Sequence, residues 1–92
     1  MGETRTEVLQ HTARKRLLRA LLDADGSADI STLASEQAAA MDTNFVQAVA
    51  ACHDLHLPKL EAAGLIESPK GETRVELSVE PECARRLLQE AT

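Results

Sequence analysis

The sequence predicts a mainly α-helical single domain with a small β-hairpin, and three observations predict it. Apolar residues recur at spacings of three or four through most of the chain, the period of a helix with one buried face. Residues 73–79 instead alternate, with Val75, Leu77 and Val79 set against Arg74, Glu76 and Ser78, the period of a strand with one buried face. Turn signals fall between these stretches: Asp25-Gly26-Ser27, Met41 to Asn44, Gly64, and Pro69-Lys70-Gly71-Glu72.

Taken in order, the first helix is expected over residues 6–24. Val8, Leu9, Ala13, Leu17, Leu21 and Ala24 form its stripe, widened by Leu18 and Leu22. Ala28-Asp29-Ile30 reads as a short extended piece. Ser31 is a good N-cap for a second helix over 32–40 that buries Leu33, Ala34 and Ala38. Asp42 or Thr43 caps a third helix over 44–63, which stops at Gly64. Residues 65–68 and 73–79 form the hairpin. Pro81 opens a last helix over 81–91, because its missing N–H is unneeded at a first helical position. That helix buries Cys83, Ala84, Leu87 and Leu88 and exposes Arg85 and Arg86. The whole of residues 1–92 is one domain, with its core over 8–79.

Helix, short strand, helix, helix, hairpin, helix is the winged helix-turn-helix order. The run His56-Leu57-Pro58-Lys59-Leu60-Glu61-Ala62-Ala63-Gly64-Leu65-Ile66 resembles the end of the third helix and the start of the wing in winged-helix regulators. Leu55 to Leu60, with Ala63-Gly64 following, most resembles a small winged-helix family of halophilic archaea. Asp29 to Ala34 fits that family's second helix, and Arg14-Lys15-Arg16 its first. The resemblance covers residues 8–79. It implies a transcription-regulator-like architecture, often dimeric, with no particular operator or effector; the function expected of the chain is a small transcriptional regulator that binds duplex DNA. In such an architecture the third helix enters the major groove. Asn44 and Gln47 would then face base edges, Thr43 and Lys59 would lie near the backbone, and Lys70 and Arg74 would reach phosphate from the wing.

The third helix argues partly against that reading. Spaced at about 100° per residue, Val46, Val49, Ala50, His53, Leu57 and Leu60 share one face, taken as the core side. Asn44, Ala48, Ala51, Leu55, Pro58 and Ala62 share the other. Base edges are read by Arg, Lys, Asn or Gln, and only Asn44 and Gln47 qualify there. A helix apolar nearly all round is normally covered on both sides. The alternative is therefore a protein-interaction or dimerisation module without DNA affinity. A homodimer is expected on either reading, with Leu18, Leu22, Ala48, Ala51, Leu55, Leu87 and Leu88 supplying its surface. Pro58 removes one helical hydrogen bond, so the helix should kink or loosen near Asp54.

Composition bounds the rest. Fifteen acidic against ten basic residues give a formal charge of −5, which argues against strong non-specific nucleic-acid binding. Phe45 is the sole aromatic residue, so Leu, Ala and Val must fill the core. Seven Arg against three Lys, with abundant acids and Ala, suits a salt-adapted or high-GC source. Arg14, Lys15, Arg16 and Arg19 make the densest basic cluster, offset in part by Arg19 pairing with Asp23. No apolar run reaches the ~18–20 residues of a membrane span, and residues 1–12 lack a signal-type stretch, so a cytoplasmic protein is expected. Cys52 and Cys83 should be reduced thiols. Cys52, His53 and His56 invite a metal, but a structural zinc site needs four ligands and only one close cluster exists. Neither metal nor cofactor is expected, and His53 is placed in the core with His56 partly exposed. No phosphate loop, nucleophile elbow or paired carboxylates point to an enzyme.

Overall fold

The computed structural model describes residues 4–68 and 73–91. The elements are α1 (Arg5–Val8), α2 (Thr12–Asp23), β1 (Ser27–Asp29), α3 (Ile30–Ala40), α4 (Phe45–Ala51), a π-helical turn (Cys52–His56), α5 (Leu57–Ala62), β2 (Ile66–Glu67), β3 (Arg74–Leu77) and α6 (Pro81–Glu90). The molecule is mainly helical with a small antiparallel sheet. Among the described residues no helix is long and apolar enough to cross a membrane.

The first expected helix is two helices. Thr4 caps α1 through its hydroxyl, which accepts from the Glu7 N–H at 3.1 Å. The chain then breaks at Leu9, and His11 caps α2, its Nδ1 accepting from the Ala13 N–H at 3.2 Å. Each cap satisfies an amide that has no partner inside its own helix. Leu17, Leu18 and Leu21 bury the inner stripe of α2. Gly26 closes the helix with φ +92° and donates to the Leu21 carbonyl at 2.7 Å.

β1 pairs with β3, not only β2 with β3, so the hairpin grows to three strands in the order β1-β3-β2. Ala28 sits opposite Val75, and Ile66 opposite Leu77. Val75 is fully buried while Arg74 and Glu76 are exposed, as the alternation requires. The helix after β1 begins earlier than expected. Asp29, not Ser31, is its N-cap residue, and Ser31 lies exposed in the first turn.

Beyond the end of α3, Asp42 adopts φ 52° and lets the Thr43 N–H reach the Ala38 carbonyl at 3.0 Å. The next cap is Asn44, not Asp42 or Thr43: its Oδ1 accepts from the Gln47 N–H at 2.8 Å. The expected third helix does loosen around Asp54. The Leu57 N–H reaches back to the Cys52 carbonyl, a five-residue step, and Pro58 follows in the first turn of α5. Pro58 has no N–H to give the Asp54 carbonyl, so the ordinary ladder cannot run through this point.

The inserted residue turns the second half of the helix relative to the first, and a straight-helix projection fails across it. Leu57 and Leu60 are buried as expected. Before the turn the inner face is Ala48 and Cys52, followed by His56 within it. Val46, Ala50 and His53, placed inside by sequence, are exposed, and Val49 is only half-buried.

The core gathers Val8, Leu9, α2, Leu33, Leu60, Leu65, Ile66, Val75, Ala84 and Leu88. It contains no aromatic ring; Phe45 stays 47% exposed. Gly64 (φ +74°) ends α5, and the Leu65 N–H donates to the Leu60 carbonyl at 3.0 Å. The Arg5 Nε donates to the Ala63 carbonyl at 3.0 Å, holding α1 to this end of α5.

Candidate functional site

The corner between α3 and α4 carries the most unusual surface. Met41, Phe45, Val46 and Leu55 are the exposed large hydrophobic residues of the described chain, and all four lie between positions 41 and 55. Val46 is 76% exposed. The Asn44 cap fixes where α4 begins. With Ala48 and Cys52 turned inward, Phe45 and Val46 are left outside. Asp42 is the sole charged residue from Met41 to Cys52.

The residues expected at DNA are scattered in role. Asn44 and Gln47 do share the tip of α4, but both are engaged there. The Asn44 carbonyl oxygen caps the helix, and the Thr43 hydroxyl donates to Gln47 Oε1 at 2.7 Å. Arg74 is turned onto its own sheet: its Nε donates to Ser27 Oγ at 2.6 Å, and an Nη lies 3.9 Å from the Asp29 carboxylate. Lys59 is half-buried on α5. Lys70 lies outside the described residues. From Asn44 to Ala63, Lys59 stands as the sole Lys or Arg, against Asp54 and Glu61.

The expected dimer surface also divides. Leu18 is completely buried, Ala48 and Leu88 nearly so, and these three belong to the monomer's interior. Leu22, Ala51 and Leu87 are half-buried, and Leu55 is exposed. Phe45 and Val46, missed by sequence because they were counted as core or ignored, replace the buried three as candidate contact residues. Regular spacing carried no signal for them, because the π turn at Cys52–His56 breaks the projection from Leu57 and Leu60 back to Val46.

Behind this corner lies a polar cluster that the sequence did not reveal. Arg14, counted in the basic patch, is buried and donates to the Val8 carbonyl at 3.3 Å. Gln37 Nε2 donates to the Ala13 carbonyl. His56 is 6% exposed, and its ring lies 4.9 Å from that of His11. Burial first, then the His11 ring and the Arg14 guanidinium, hold His56 down at about 4, so the ring is neutral at ordinary pH. Burial pushes the Cys52 thiol up, which keeps it protonated and a poor nucleophile. Cys52 and Cys83 are both free. No group of three metal-ligating side chains converges among the described residues.

No family model, curated protein or solved structure matches the chain. The site's chemistry therefore rests on its own residues: an apolar, nearly uncharged corner above a buried polar cluster.

Proposed function

We propose that the chain is a winged-helix module that acts by protein–protein pairing, with a second copy of itself as partner, through the corner between α3 and α4. One observation carries this: every exposed large hydrophobic residue of the described chain falls within positions 41–55. Large apolar side chains left exposed within one short stretch of a small domain suit an interaction site. A second copy suits it because the corner is nearly free of charge. Two copies can meet there without the repulsion that a net −5 would otherwise impose. Such a contact is isologous and needs no other component. The winged-helix half of the proposal is supported by the element order and by β3 lying between β1 and β2.

DNA binding is the second reading, favoured by that same architecture and by Arg74, whose side chain is exposed on β3. The local charge disfavours it, since α4 presents no cation. Polarisation on random duplex at several salt concentrations separates the two. Affinity no better than about 10 μM in low salt counts against DNA binding, since ordinary DNA binders already reach non-specific constants of ~10⁻⁴–10⁻⁶ M at physiological salt and bind far more tightly in low salt. Tighter binding whose logarithm falls steeply with log salt restores the regulator reading. Light scattering in moderate salt should report twice the chain mass, and a strict monomer at high micromolar concentration defeats the pairing proposal.

A further inference from the structure

A cavity of about 380 Å³ opens between α2, α3 and the α4–π-turn segment. This is within the ~300–1,000 Å³ of small-molecule sites. Met41 and Leu55 line it and are also exposed, so they form its rim; Gln37 and His56 line it and are buried, so they form its floor. The walls between are mostly small and apolar, including Ala48, Ala51 and Cys52.

The floor is chemically unfinished. Gln37 Oε1 and His56 Nδ1 are buried and have no hydrogen-bond partner. Leaving such groups unpaired is unfavourable, and native interiors rarely do so without a bound molecule or a functional reason. The π-helical turn that accompanies Pro58 bears on the same wall. These turns are uncommon and concentrate at functional sites, and this one sets Cys52, Leu55 and His56 on the cavity wall.

We propose that this cavity binds a small uncharged molecule with an apolar body and one hydroxyl or N–H group, which donates to Gln37 Oε1. The donor requirement follows from the amide orientation. Gln37 Nε2 is already committed to the Ala13 carbonyl, so the free atom is an acceptor. The absence of charge follows from the lining, which holds no Asp, Glu, Lys or Arg; of its other polar members, His11 Nδ1 already accepts from the Ala13 N–H and the Thr43 hydroxyl already donates to Gln47 Oε1. A cation would also meet the field of the nearby Arg14, and a carboxylate would set its oxygens against Gln37 Oε1. His56 can accept from or donate to the same ligand group, since a neutral imidazole offers either role. The inference stands whether or not the corner pairs, because Gln37 and His56 lie inside one chain.

Phenol and anisole are the probes: equal rings, the second lacking the donor. Each is titrated into the native chain and into Val46→Ala, so that binding and pairing are read apart, with amide and imidazole NMR shifts as the readout. Phenol should shift residues 37, 48, 51, 52 and 56 in a saturable way. Anisole should bind at least about tenfold more weakly, the scale of one buried hydrogen bond left unmade. Ala51→Leu, which fills the cavity from a half-buried position, should abolish the phenol shifts while the amide spectrum stays folded. No saturable shift with phenol would mean a hydrated cavity only and overturn the proposal. Anisole binding as tightly as phenol, or Ala51→Leu binding unchanged, would overturn it equally.

Discussion

Replacing Val46 by Ala separates surface from core more cleanly than any other change at the corner. Val46 is 76% exposed, so three quarters of its apolar surface is free to be covered by a partner. The substitution removes about two methyl equivalents at ~0.8 kcal/mol each, or ~1.6 kcal/mol for full burial. Three quarters of that is ~1.2 kcal/mol per copy. An isologous contact loses it twice, ~2.4 kcal/mol, which weakens the dimer about fiftyfold. The monomer should scarcely respond, because exposed substitutions usually stay within ~0.5 kcal/mol. Sedimentation equilibrium measures the first effect and urea unfolding of the dilute chain the second. An unchanged dimer constant, or a loss of monomer stability as large as the loss of dimer affinity, would refute the reasoning.

Asn44→Ala removes a cap and should destabilise the chain by ~1 kcal/mol in urea unfolding, with Asn44→Ser close to native. Gly64→Ala forces a side chain into the left-handed region at φ +74° and should cost ~1–2 kcal/mol, also read by unfolding. His56 should make stability fall with acid. Its folded value is about 4, below the ordinary ~6.5, so the unfolded chain binds the extra proton between those limits. That stability is fully present above about pH 6.5 and is lost as pH falls towards 4, with a slope of up to ~1.4 kcal/mol per pH unit. His56→Gln should flatten that part of the profile; an identical slope in the variant would show that His56 is not its source.

Much of the fold was legible because strong local signals agreed with the packing. The alternation around Val75, the closure at Gly64 and the opening at Pro81 all hold, as does the loosening near Asp54. What failed was phase. Once Pro58 and the π turn insert a residue, regular spacing no longer predicts which side faces inward, and His53 and His56 exchange roles. The break at His11 was hidden because Val8 and Leu9 kept the helical period across it, although a capping imidazole ends one helix and starts another. The cavity was least legible of all. Gln37, Arg14 and His56 come together only through packing of α2, α3 and the π turn, and nothing in their spacing joins positions so far apart.

A dilution series of amide NMR spectra tests the pairing claim most directly, because it reads which residues change as the partner leaves. From millimolar to low micromolar chain, shifts should concentrate at residues 41–50 and at Leu55, and they should vanish in Val46→Ala. Spectra that do not change with concentration, or changes centred on Leu22 and Leu87 between α2 and α6, would contradict it.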